Sequence, residues 1–142
     1  MTRTATAAAA SSDSARTYWW SLALVTIAAA WVTYQARGTI NNDGILYIDA
    51  AWFFARMDWA NGMATYNWPL YPLLVAAVHK VTGLALQTSA HALDVAFVAA
   101  AAGALFTLVR ELGGGRRGVA WSAALLLATP YLFGDIVPMV LR

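Results

Sequence analysis

The chain contains no cysteine, which excludes a disulfide framework and a thiolate metal site. It has only two histidines, so a zinc site built from protein side chains alone is not expected. Charged residues are also scarce: they make up 11 % of the chain, against about a quarter of a typical soluble domain. The basic residues are scattered along the sequence, and this distribution does not favour nucleic-acid binding.

Apolar residues make up 61 % of the chain, and its mean hydropathy is +0.57. They occur in long blocks rather than in alternation with polar residues. Blocks of this length are typical of helices that cross a bilayer. We therefore predict an all-α membrane protein with about three transmembrane helices. A tightly packed helical soluble domain is the less favoured alternative.

Three segments match the thickness of a bilayer core, which is about 30 Å. The first, residues 18–36, has no charge and carries Trp and Tyr near both ends, as interface belts do. A signal peptide cleaved near residues 28–30 is the alternative, but the apolar run continues past that site and favours a retained anchor. The other two predicted transmembrane helices are residues 88–109 and 118–134.

The segments between these helices are shorter or more polar. Residues 1–17 are rich in Ala, Ser and Thr and predict a disordered cytoplasmic tail. Residues 110–117 are basic and glycine-rich and predict a cytoplasmic turn, and residues 135–142 would begin a second exported loop. Residues 37–87 then form the first exported loop.

The first exported loop is predicted to contain an amphipathic helix and a re-entrant helix. From Ile45 onward, apolar residues recur at steps of three and four, which predicts a helix that lies in the membrane interface. Residues Ala60–Met63 (ANGM) are predicted to end it. The next segment, residues 68–86, begins with two prolines suited to a helix start. It reaches Lys80 too early to span the bilayer.

The distribution of arginine predicts the topology. If residues 68–86 do not cross the membrane, five arginines face the cytoplasm: Arg3, Arg16, Arg110, Arg116 and Arg117. This arrangement follows the tendency of cytoplasmic loops to carry Lys and Arg. We therefore predict a multi-pass protein with a cytoplasmic N-terminus and with the first loop on the outer side.

Asp43 stands at the beginning of the exported loop, in the turn sequence Asn-Asn-Asp-Gly. A carboxylate at this place can take a proton from an acceptor hydroxyl or help to bind a divalent cation near a phosphate. The alternative role is structural, with Asn42 or Asp43 capping the helix that begins near Ile45. The sequence alone leaves both interpretations open.

Other charged residues of the outer side also have two interpretations. Arg56 and Lys80 can balance the charge of a lipid phosphate, although snorkelling to headgroups is the simpler explanation for both. Asp94 follows His91 by three residues near the outer end of the second predicted span. It is predicted either to pair with His91 in the interior or to face headgroups.

The loop presents three features in a fixed order: the acidic Asp43, a Tyr-x-x-Ala step at Tyr47, and the proline-rich element Pro69–Pro72. In this order they resemble the first exported loop of the polytopic GT-C-type glycosyltransferases. That family includes the protein O-mannosyltransferases and the aminoarabinose transferase of lipid A. The basic turn that begins Arg110-Glu-Leu-Gly-Gly is also similar to a cytoplasmic turn of the family.

The resemblance implies an inverting transfer of a sugar to an acceptor on the periplasmic side of the bacterial inner membrane. The donor would be a polyprenyl-phosphate-linked sugar, and the lipid bilayer would be the other partner. Asp43 would be the catalytic carboxylate, with Tyr47, Arg56, Tyr71 and Lys80 binding the substrate. The family pattern does not settle whether a divalent cation takes part, because Asn42 and Gly44 flank Asp43 where many members have a second acidic residue.

Members of this family are several times longer than this chain. We therefore expect an N-terminal fragment that is inactive by itself, although the complete protein would be an enzyme. The alternative, from a different class, is a small non-enzymatic membrane protein, such as a transporter fragment or an assembly partner. A transporter would more often place its ionisable residues within a span than in a loop.

Overall fold

A computed structural model describes residues 2–36, 38 and 40–137 of the chain, and the secondary structure within those ranges is helical. The α-helices are α1 (Thr2–Gln35), α2 (Asn42–Ala55), α3 (Trp59–Thr65), α4 (Leu70–Thr82), α5 (Leu86–Glu111) and α6 (Gly115–Leu127). A π-helical turn, Leu132–Ile136, follows α6. The predicted all-α class is therefore confirmed for the described residues.

Helix α1 begins much earlier than the sequence predicts. It starts at Thr2, so residues 2–17 are helical where a disordered tail was expected. Alanine has the highest helix propensity of all residues, and extending an existing helix avoids the cost of nucleating a new one. The Ala-rich tail therefore continues the helix formed by residues 18–35, a consequence that low complexity alone did not reveal.

One helix among the described residues, α5, is long and apolar enough to cross a membrane. It contains the predicted span 88–109. Residues 18–35 of the predicted span 18–36 lie within α1, whereas the predicted span 118–134 is divided between α6 and the π-helical turn. Pro130 explains this division, because a residue before proline is disfavoured in the helical conformation. The prediction of three transmembrane helices is thus not confirmed, and part of the predicted segment 135–142 (residues 138–142) lies outside the described residues.

Helices α1, α5 and α6 pack into one group. Its buried core consists of Val25, Ala102, Phe106, Val119 and Ala123. Gly103 lets α1 and α5 approach closely, since the hydroxyl of Tyr18 donates a hydrogen bond to the Gly103 carbonyl at 3.2 Å. A Cβ atom on Gly103 would lie 3.3 Å from that hydroxyl.

Helices α2, α3 and α4 pack with the first turns of α5 into a second group. Its buried core consists of Tyr47, Ala50, Ala51, Phe54, Val75, Ala76 and Ala90. The apolar face that the sequence pattern predicts for α2 is a different one, and its members Ile45 and Trp52 are 47 % and 41 % exposed. Helix α2 therefore has one face in the protein core and a second apolar face on the surface.

The break between α2 and α3 comes earlier than predicted. Met57 adopts the left-handed conformation, with φ of 64°, and ends the first helix. The side chain of Asp58 then caps α3 by accepting a hydrogen bond from the amide of Asn61 at 3.2 Å. The predicted helix breaker, Ala60–Met63, instead lies inside α3, because Gly62 leaves the space that the ring of Phe54 occupies.

Candidate functional site

The N-terminus of α2 places Asp43 on the surface without using it as a cap. The cap is Asn41, whose side-chain oxygen accepts a hydrogen bond from the amide of Gly44 at 3.0 Å. Both alternatives from the sequence, Asn42 and Asp43, are therefore wrong for the capping role. Asp43 lies exposed in the first turn, where a negative charge interacts favourably with the helix dipole.

Three tyrosines lie together at the centre of the second helix group. The ring centroids of Tyr47 and Tyr66 are 4.7 Å apart, and those of Tyr47 and Tyr71 are 5.3 Å apart, both in edge-to-face contact. The hydroxyl of Tyr66 donates to the hydroxyl of Tyr47 at 3.3 Å. We refer to Tyr47, Tyr66 and Tyr71 as the tyrosine cluster. It joins two of the predicted substrate-binding residues, Tyr47 and Tyr71, in one place.

Asp43 and the tyrosine cluster are electrostatically connected. Asp43 precedes Tyr47 by four residues, so the two side chains are neighbours on one face of α2. Burial raises the pKa of Tyr47 to about 12, and Tyr66 and the charge of Asp43 act in the same direction. Tyr47 is therefore a neutral phenol at physiological pH and can donate a hydrogen bond beside an exposed carboxylate.

The third tyrosine connects α4 to a buried carboxylate of α5. The hydroxyl of Tyr71 donates to Asp94 Oδ1 at 2.9 Å. Burial, followed by the charge of Asp94 and this hydrogen bond, raises the pKa of Tyr71 well above its ordinary value. Asp94 is 6 % exposed, so it does not face headgroups. Asp94 accepts a hydrogen bond from Tyr71 and none from His91, because neither ring nitrogen of His91 has a hydrogen-bond partner among the described residues.

A cavity of about 300 Å³ opens beside the tyrosine cluster. Its wall consists of the three tyrosines together with Trp68, Leu70, Leu74 and Phe97. The lining is largely aromatic, and its polar side-chain groups are the phenol hydroxyls and the indole N–H of Trp68. Such a surface offers apolar contact and a few hydrogen bonds, as ligand sites commonly do.

The two predicted phosphate-binding residues lie away from Asp43. Arg56 follows the end of α2, and thirteen residues of helix correspond to about 20 Å along the axis. Its guanidinium carbon lies 3.4 Å from the centroid of the Trp52 ring. Lys80 is exposed in the last turn of α4, about 14 Å along the axis from Tyr71. The structure thus joins Asp43, Tyr47 and Tyr71, and it does not bring Arg56 or Lys80 to them.

Two members of this arrangement were not among the predicted site residues: Tyr66, and Asp94, for which an interior position was one of two alternatives. A signal for Asp94 existed, because an acidic residue inside an apolar helix usually faces a protein interior. Tyr66 had no comparable signal, since it follows α3 and reaches Tyr47 only through the turn at Met57.

No three His, Cys, Asp or Glu side chains of the described residues are grouped so that they could hold a metal ion. No protein-family model, curated protein or solved structure matches this chain. The candidate site therefore has to be interpreted from its own geometry.

Proposed function

We propose that the chain belongs to a membrane-embedded glycosyltransferase that uses a polyprenyl-phosphate-linked sugar. The reaction would take place on the outer side of a bacterial inner membrane. The observation that supports this proposal best is Asp43: it is exposed at a helix start whose cap is another residue, Asn41. A carboxylate that has no capping role is available for chemistry.

The proposed topology has three crossings, at residues 18–36, 88–109 and 118–134, with a cytoplasmic N-terminus. Large aromatic residues on α1 support the first crossing: Trp19, Trp20 and Trp31 are each more than 60 % exposed. Exposed Trp near the ends of an apolar helix is typical of residues that lie at the two bilayer interfaces. Helices α2, α3 and α4 would then lie at the outer surface.

In the proposed reaction, Asp43 takes the proton from an acceptor hydroxyl. The acceptor oxygen forms a bond to the anomeric carbon of the sugar as the bond from that carbon to the phosphate oxygen breaks. The electron pair leaves with the polyprenyl phosphate, and the anomeric configuration inverts. Tyr47, one helical turn away, can hold the acceptor with a hydrogen bond. A divalent cation bound by one carboxylate would take its remaining oxygen ligands from the donor phosphate and water.

The distances do not support a role for Arg56 or Lys80 at the same phosphate. Arg56 lies about 20 Å along α2 from Asp43, which is far beyond the reach of both side chains. Lipid headgroups are the better-supported partners of these two exposed cations.

The test of this proposal is Asp43→Asn in the complete native protein, assayed with a radiolabelled polyprenyl-phosphate sugar. We expect transfer to be abolished while protease protection shows normal membrane insertion. Glu111→Gln is the matched control, because Glu111 is an exposed carboxylate at the far end of α5. Normal turnover by the Asp43→Asn enzyme would remove Asp43 from the mechanism.

Asp94 favours a second candidate, a transporter component. It is a buried acidic residue in the one described helix that is both long and apolar enough to span a membrane, and such residues often mark ion or substrate pathways. If transport is the function, Asp94→Asn abolishes proton-coupled flux in proteoliposomes and Asp43→Asn does not. If the chain belongs to a glycosyltransferase, Asp43→Asn abolishes sugar transfer and Asp94→Asn does not.

A further inference from the structure

A second cavity, of about 400 Å³, lies on the side of α2 away from the tyrosine cluster. It is lined by Ile48, Asp49, Trp52 and Phe53 of α2, Thr65 at the end of α3, and Leu86 at the start of α5. Asp49 follows Tyr47 by two residues, and two residues turn an α-helix by about 200°. The two cavities therefore use opposite sides of one helix, and this one has no role in the reaction described above.

The aromatic wall of this cavity is held in place. The guanidinium of Arg56 stacks on the Trp52 ring at 3.4 Å, and Trp52 meets Phe53 edge to face with centroids 5.0 Å apart. These contacts restrict the indole before any ligand arrives. A wall that is already ordered loses little conformational entropy on binding.

Apart from the indole N–H of Trp52, the polar side-chain groups that line the cavity are hydrogen-bond acceptors. Asp49 is exposed, and no other described residue hydrogen-bonds or ion-pairs with it. The hydroxyl of Thr65 already donates to the carbonyl of Asn61 at 2.8 Å, so its lone pairs remain to accept. The ligand that complements this wall supplies several donors, as the hydroxyl groups of a polyol do.

Charge narrows the ligand class further. An aromatic ring beside a carboxylate can also bind an ammonium group, but the cation of Arg56 already lies over one face of the Trp52 ring. A cation would be attracted by Asp49 but repelled by Arg56, and an anion would be attracted by Arg56 but repelled by Asp49, so neither sign of charge is favoured. An uncharged ligand with one apolar face and one edge of hydroxyl groups fits the remaining requirements.

We propose that this cavity is a binding site for an uncharged pyranose ring. The C–H face of the ring lies on Trp52 and Phe53, and its hydroxyl groups donate to Asp49. The volume falls within the range of about 300–1,000 Å³ that is usual for small-molecule sites. Its assignment to a sugar taking part in transfer rests on the proposed function, whereas sugar binding itself does not require Asp43 to be catalytic.

The experiment is saturation-transfer NMR on the complete protein in phosphatidylcholine nanodiscs, with glucose, mannose and galactose as separate probes. We expect saturation to be transferred from the protein to the ring C–H protons of at least one of these sugars. Asp49→Asn and Trp52→Leu should each weaken binding about tenfold, which corresponds to the loss of one charged hydrogen bond or one stacking surface. Trp52→Phe should retain part of the signal, because an aromatic face remains.

Trp121→Leu is the matched control, since Trp121 is an exposed tryptophan of α6 that lines neither of these two cavities. Wild-type protein that gives no saturation with any of the three sugars overturns the proposal. An unchanged signal in both Trp52→Leu and Asp49→Asn also overturns it, because the contact would then be elsewhere. Circular dichroism of each variant shows whether a lost saturation signal results from unfolding. If Trp52→Leu and Asp49→Asn are unfolded, the signal of the milder variant Trp52→Phe decides the question.

The two proposals can fail separately in these assays. Suppose that Asp43→Asn transfers sugar normally, while the wild type still transfers saturation to a sugar and Trp52→Leu weakens this signal. The catalytic assignment of Asp43 is then wrong, and the pyranose site stands. If Asp43→Asn abolishes transfer but no sugar saturates in the wild type, the reverse conclusion holds.

Discussion

The phenol of Tyr71 and the carboxylate of Asp94 form a hydrogen bond of 2.9 Å between α4 and α5. Both groups are shielded from solvent, so the bond fixes the start of α4 against the apolar helix. We expect Tyr71→Phe to lower the free energy of unfolding by about 1.5–3 kcal/mol, the usual value for a hydrogen bond to a charged group. Thermal or denaturant unfolding in nanodiscs measures this loss.

Tyr131→Phe is the control for that change, because Tyr131 is exposed and its hydroxyl has no hydrogen bond to a described residue. A double-mutant cycle with Asp94→Asn isolates the pairwise energy. If Tyr71→Phe and Asp94→Asn are additive, the two side chains are not coupled and the bond contributes little.

High pH should weaken the second helix group through Tyr47. Its pKa is raised to about 12 by burial, while that of an unfolded tyrosine is about 10. The stabilisation is therefore fully present below pH 10 and is lost as the pH rises through about 12. Wild-type and Tyr47→Phe unfolding curves recorded from pH 8 to pH 12 test this. The prediction fails if the difference between the two proteins stays constant across that window.

Substitution of Asn41 should lower the stability of the protein more than substitution of Asp43. Removal of the cap by Asn41→Ala is expected to cost about 1 kcal/mol of stability. Asp43→Asn should change it by less than about 0.5 kcal/mol, because the carboxylate does not cap the helix. The two unfolding free energies are measured side by side. A larger loss in Asp43→Asn than in Asn41→Ala would return Asp43 to a structural role.

The ring of Phe54 fills the space that a side chain at residue 62 would need, so this position favours glycine. A Cβ atom at this position would lie 2.5 Å from the ring, and Phe54 is only 3 % exposed. Gly62→Ala should therefore destabilise the protein by about 1–3 kcal/mol through overpacking. Gly134→Ala is the matched control, since a Cβ there meets nothing within 4 Å. Equal melting temperatures for the two variants would show that the ring moves aside freely.

The helices between α1 and α5 could be predicted where local signals are strong. Pro69 precedes α4, and Gly83 ends it in the left-handed conformation with φ of 73°, so both ends of this helix have a local cause. The cap of α2 was harder to predict. Asn41, Asn42 and Asp43 are adjacent and all are good caps, and the choice among them depends on the backbone angles of Asn41.

The candidate site depends on contacts that no local pattern contains. Tyr66 meets Tyr47, nineteen positions away, and Tyr71 meets Asp94, twenty-three positions away. Both contacts result from the way α3 and α4 fold back on α2. Asp43, Tyr47 and Tyr71 could be named from the sequence, whereas the separation of Arg56 from them required the length and direction of α2.

Helix α5 takes part in both packed groups, with Ala90 in one buried core and Ala102 and Phe106 in the other. Asp94 and Phe106 are separated by about 18 Å of rigid helix. When a bilayer thins or thickens, a spanning helix responds by tilting. If α5 spans the membrane as proposed, a tilt would raise or lower the whole tyrosine cluster relative to the headgroups without changing its internal distances. For the proposed transferase, membrane thickness would then decide how deep below the water boundary an acceptor must reach.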